Sequence, residues 1–112
     1  MNIISQTDLS QYSNRVLEYR RHLHAHPELS FQEFKTSQFV VDEMEKLKHA
    51  EIIRPAGTSV LVKFVTGKPG PKIGLRADMD ALAIQEDRQD LAFHSKNEGV
   101  MHACGHDGHT AM

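Results

Sequence analysis

The sequence predicts an α/β domain with a mixed sheet. Three observations carry that expectation. Two stretches of helical periodicity occupy the first half, short segments rich in valine and isoleucine follow them, and a glycine-punctuated loop dense in histidine leads into a last helix. The order helix, helix, strands, metal-type loop is that of the front part of such a domain, ahead of its later strands. The 112 residues allow one domain at most.

The elements follow in order. Leu9, Tyr12, Val16, Leu17 and Leu23 recur at helical spacing between about Asp8 and His24, and Pro27 closes that helix. Ser30-Phe31-Gln32-Glu33 has the pattern of a capping box. It predicts a second helix from Phe31 to about Lys48, burying Phe34, Val41, Met44 and Leu47 or near neighbours, with Glu43 and Glu45 on its solvated face. Pro55-Ala56-Gly57 breaks the pattern. Ser59 to Thr66 alternates and reads as a strand, with Ile52-Ile53 adding a short one before it. Gly67 to Pro71 is a turn by composition. Lys72 to Ala77 reads as a further strand that delivers Asp78-Met79-Asp80 at its C-terminal end, the end of an open α/β sheet where sites gather. Residues 85–99 read as a polar loop with a short strand near Leu91-Phe93.

Composition excludes several classes. The chain is 39% hydrophobic and 25% charged, with a formal net charge of −2. Nothing basic enough for nucleic acid or a membrane surface stands out. The segment Met1 to Gln6 lacks the basic start and apolar run of a secretory signal, and no stretch reaches transmembrane length. The single cysteine cannot form an internal disulfide, which fits a reducing cytoplasm.

Chemistry concentrates in residues 101–112. A soft thiol, imidazoles and a carboxylate together form a ligand set for a first-row transition metal, zinc above all. Cys104 and His106 lie two residues apart around Gly105, so their side chains can converge on one ion. The competing reading is a buried structural cysteine beside surface histidines. The density of His102, Cys104, His106, Asp107 and His109 favours the metal. Asp78 and Asp80 can bind a metal, hold a ligand imidazole by its second nitrogen, or cap the following turn. His22, His24 and His26 alternate on a helix, where residues two apart diverge. They make a poor metal triplet, and interaction with the helix C-terminus accounts for at least one of them.

Three blocks together resemble one family: Arg20-Arg21-His22-Leu23-His24-Ala25-His26-Pro27-Glu28-Leu29-Ser30-Phe31-Gln32-Glu33, Gly74-Leu75-Arg76-Ala77-Asp78-Met79-Asp80-Ala81-Leu82, and Met101-His102-Ala103-Cys104-Gly105-His106-Asp107-Gly108-His109. The family is that of the co-catalytic metal amidohydrolases related to aminoacylase and carboxypeptidase G. The branch is that of hippurate hydrolase, N-acyl-amino-acid amidohydrolases and plant auxin-conjugate hydrolases. Each block is moderately specific, the three in this order are hard to obtain by chance, and the resemblance runs from about residue 15 to the end of the chain.

The resemblance implies the N-terminal quarter to third of a zinc-peptidase-like α/β/α catalytic domain, so that residues 1–112 form part of one metallohydrolase domain without its lid. It implies Cys104 and His106 as metal ligands, and Asp80 as support that holds the site without being a ligand. Asp78 occupies a place where more distant relatives carry a ligand histidine. Two divalent ions (zinc, manganese, cobalt or nickel), roughly 3.5–4 Å apart, would activate water against the amide of an N-acyl-amino acid or small peptide. The family's general-base glutamate lies beyond residue 112. Ala83 departs from the proline usual after Ala-Leu. The implied partners are small-molecule or peptide substrates, with no nucleic acid and no membrane, and homo-oligomerisation is left open for the full-length form. The rival reading is a non-catalytic metal-binding or assembly fragment, because two protein donors are too few for a closed site.

Overall fold

The protein is described by a computed structural model covering residues 6–112, with side chains from residue 9 onward. Residues 1–5, most of the segment read for a secretory signal, lie outside the described part. Two α-helices, α1 (Gln6–Ala25) and α2 (Phe34–Glu45), precede strands β1 (Ala50–Ile53) and β2 (Leu61–Phe64), and a short helix α3 (His106–Ala111) follows.

α1 ends where Pro27 removes the next amide donor, and its last carbonyl is not orphaned. The Ala25 oxygen accepts from the Lys96 amide at 2.9 Å. The apolar stripe expected along α1 is buried only at its C-terminal end. Leu23 is 2% exposed, whereas Leu9, Tyr12 and Leu17 remain in contact with solvent. The reason is that α3 packs on α1, and its partner residues Arg20 and His24 belong to the last turns.

α2 begins at Phe34, three residues later than the capping box predicts, and Ser30 does not cap it. Phe31 adopts a left-handed φ of 65°, which interrupts any helix there. The orphan amides are met instead by Glu28. Its carboxylate accepts from the Thr36 amide at 2.6 Å, the Thr36 hydroxyl at 2.7 Å and the Lys35 amide at 3.2 Å. Glu33, buried, accepts from the Thr58 hydroxyl at 2.7 Å. Of the four side chains expected in the core, Val41 is buried and Met44 half-buried, while Phe34 and Leu47 are exposed. Glu43 is half-buried and accepts from the Tyr19 hydroxyl at 2.6 Å, joining α1 to α2, while Glu45 faces solvent as expected.

β1 and β2 pair antiparallel, with Ile52 opposite Val62 and Glu51 opposite Lys63. Arg54, just after β1, donates to Ser37 and Gln38 and ties the hairpin to α2. The strand expected at Lys72 to Ala77 does not form. A strand needs a neighbour for its backbone groups, and none of the described residues runs beside this segment, so Ile73 and Leu75 stand in solvent. Leu91-Phe93 lies in a turn for the same reason. Two isolated bridges then carry the chain towards the site: Leu29 pairs parallel with Ala81, and Leu82 pairs antiparallel with Met101.

Candidate metal centre

The loop before α3 and the segment around Asp80 are brought together by backbone pairing. The Ala81 amide donates to the Glu28 oxygen at 2.8 Å, and Leu82 and Met101 exchange two bonds of 3.0 Å. The Thr110 hydroxyl on α3 donates to the Asp78 carbonyl at 3.1 Å. Gly105 makes the entry to α3 with φ of 133°, a conformation for which glycine is suited. A Cβ there would sit 3.6 Å from the His109 ring.

His106 and Asp80 meet. The imidazole Nδ1 lies 3.0 Å from a carboxylate oxygen of Asp80 and 3.0 Å from its carbonyl oxygen. An N–H on Nδ1 satisfies both acceptors and leaves the Nε2 lone pair outward. That is the arrangement in which a carboxylate fixes the tautomer and raises the basicity of a metal-binding histidine. Cys104, two residues earlier, is exposed and its thiol is free. Asp78 points elsewhere, its carboxylate paired with Arg76 at 2.9 Å. His102 is buried with neither ring nitrogen partnered among the described residues, and burial pushes its imidazole below its ordinary value.

The donor set fits a divalent metal in type: a thiol that a metal would hold as thiolate, and an imidazole backed by a carboxylate. It does not fill a coordination sphere. Among the described residues, no group of three or more histidines, cysteines or acids is arranged to hold an ion.

A second cluster, not legible in the sequence, lies directly behind this loop. His24 is buried between two carboxylates, with Nδ1 2.8 Å from Asp107 and Nε2 2.9 Å from Glu86. Asp107 also accepts from Arg20 at 3.1 Å and from the Gly108 amide at 2.9 Å. Burial opposes ionisation of Asp107, yet the bonds from His24 and Gly108 and the charge of Arg20 hold its carboxyl below the ordinary carboxylate range. Glu86 behaves alike: desolvation is outweighed by the bonds from His24 and the Ser95 amide. The Phe93 ring packs edge-on against His24 and under the guanidinium groups of Arg20 and Arg21. His26 is the member of the alternating triplet that interacts with the end of the helix, its Nδ1 2.8 Å from the His22 carbonyl. Nothing in the spacing of His24 marked it for burial, and Glu86 sits in a stretch read only as polar loop.

Residues 74–112 match the Peptidase family M20/M25/M40. This chain is a relative of the M20/M25/M40 peptidases. It is 59% identical over 97 residues to an N-acyl-L-amino acid amidohydrolase of Geobacillus stearothermophilus, covering 87% of this chain and 26% of that protein. It is 44% identical over 109 residues to thermostable carboxypeptidase 1 of Saccharolobus solfataricus, covering 96% and 27%. Its fold matches the crystal structure of a Bacillus subtilis dinuclear metal-binding peptidase of the M20 family at a TM-score of 0.81 and 44% identity, covering 91% of this chain and 28% of that one. The chain thus spans about a quarter of the length of these relatives, all named as hydrolases. The α/β reading and the family resemblance hold in these matches.

Proposed function

We propose that this chain carries the thiolate–imidazole part of a metal centre in a hydrolase that cleaves the amide bond of N-acyl-amino acids or small peptides. The observation that carries the reading is the His106–Asp80 pair at 3.0 Å, two residues along the chain from the free thiol of Cys104, in a segment that matches the M20 family. The names of the relatives support the substrate class. In this reading Cys104 and His106 are ligands, and Asp80 orients the His106 ring with Nε2 turned outward. Asp78, paired with Arg76 and bound through its carbonyl to Thr110, is a structural residue of the turn. Two divalent ions, of zinc, manganese, cobalt or nickel, would supply an activated water and polarise the scissile carbonyl. Residues 1–112 form part of one catalytic domain, and a reducing cytoplasm suits a cysteine that must stay free to bind metal.

The rival reading, a metal-binding or assembly fragment without turnover, is favoured for the isolated polypeptide by one observation: among the described residues no three histidines, cysteines or acids are grouped to hold an ion. The two readings share a first test and part at a second. Cobalt(II) added to the 112-residue chain should give a thiolate charge-transfer band that disappears in Cys104→Ser; a band unchanged by that substitution would remove the cysteine from the site. The isolated chain should not hydrolyse N-acyl-amino acids with zinc, manganese or cobalt. The same sequence within a relative-length protein should do so, and loss of that hydrolysis must follow Cys104→Ser if the enzyme reading is right.

A further inference from the structure

We infer that His24 is a positioning residue of the metal loop: gripped by Glu86 and Asp107, it ties α1 to the residue following His106 and so fixes the His106 imidazole against Asp80. The inference rests on the proposed function for its purpose, but its geometry is independent of any ion.

His24 is 4% exposed and its two carboxylate partners are 3% and 2% exposed, so the three groups form a dry cluster. Each ring nitrogen lies within hydrogen-bond distance of a carboxylate, Nδ1 of Asp107 and Nε2 of Glu86. The three groups come from elements far apart in sequence: α1, the loop after Leu82, and the first turn of α3. Asp107 follows His106 directly, and its other oxygen takes the Gly108 amide, so its carboxylate sets the rotation of the first turn of α3. That rotation aims the His106 ring. α3 has six residues, too few to hold an orientation without such an anchor. His24 does not touch the proposed ligands. It acts through Asp107.

Two near-isosteric variants test this in the 112-residue chain, His24→Gln and Asp107→Asn, with His22→Ala as a control on the same helix. The first readout needs no metal: long-range 15N–1H correlation of the imidazoles reports the tautomer of His106. The wild type and His22→Ala should hold His106 with its proton on Nδ1. Both test variants should shift it to a tautomer mixture while helical circular dichroism persists. The second readout is cobalt(II) affinity, expected to fall about tenfold, the scale of losing a group that orients a ligand, and by less than in His106→Ala. An unchanged His106 tautomer in folded variants would overturn the inference, and so would loss of all helical signal in both variants, which would make His24 a folding element only. A wild-type chain with the Nδ1–H tautomer but no cobalt–thiolate band would sink the proposed function and leave the positioning role standing.

Discussion

At the scale of single residues, carboxylates decide most of the local geometry. Glu28 is the clearest case. It sits six residues before α2, yet takes two backbone amides and a hydroxyl of its first turn. Glu28→Ala should destabilise the chain by about 1–2 kcal/mol, the upper range for loss of an N-terminal cap, while Ser30→Ala should be close to neutral. Urea denaturation of the two variants checks the assignment, and equal effects would restore Ser30 as the cap. Asp80 performs a comparable service for His106. Asp80→Ala should weaken cobalt binding about 10–100-fold while keeping the thiolate band, because the carboxylate orients a ligand and is not one. Spectrophotometric titration separates this from Cys104→Ser, in which the band itself is lost.

At the scale of elements, pairing explains both successes and misses. β1 and β2 form because each supplies the other's hydrogen bonds and because Arg54 joins the hairpin to α2. Residues 72–77 carry a comparable apolar pattern but have no neighbouring strand among the described residues. Ile73 is 86% and Leu75 97% exposed. In the 112-residue chain, Ile73→Thr and Leu75→Thr should therefore change stability by less than about 0.5 kcal/mol, whereas Val41→Ala, in the core, should cost well over that. Amide exchange should be fast across 72–77 and slowest in the C-terminal turns of α1, where α3 packs. Protection of residues 72–77 equal to that of α1 would contradict this picture.

At the scale of the whole molecule, the chain is looser than its length requires. Its radius of gyration is 15.8 Å, against about 13 Å for a compact domain of this size. Among the described residues the larger buried apolar side chains are few, with Leu23, Val41 and Val100 foremost. Buried polar groups therefore carry an unusual share of the tertiary structure, and stability should follow their ionisation. Against desolvation, the Glu86 carboxyl is held below its ordinary 4.5 in the folded state by the bonds from His24 and the Ser95 amide. A depressed carboxyl contributes stability that is complete above its unfolded value and is lost as pH falls through its folded value. The Glu86 contribution should thus be level from neutral pH to about pH 5 and decline below about pH 4.5. Glu86→Gln should be less stable at neutral pH, and its deficit should narrow on acidification. A deficit that stayed constant to pH 3 would show that the Glu86 charge plays no part.

The sequence by itself determined what recurs locally. Helical periodicity placed α1 and the body of α2, Pro27 placed the end of α1, alternation placed the hairpin, and three motif blocks named the family and pointed to Cys104, His106 and Asp80. Each of those signals is written in neighbouring residues. Tertiary structure alone decided which of several acids caps α2, that Lys72 to Ala77 stays unpaired, and that His24 is buried with Glu86 and Asp107 rather than left at a helix end. Glu28 is six residues from the helix it caps; His24 is 62 residues from Glu86 and 83 from Asp107. The His24–Asp107 bond exists only after α3 has packed on α1, because packing removes the water that would otherwise satisfy each group separately.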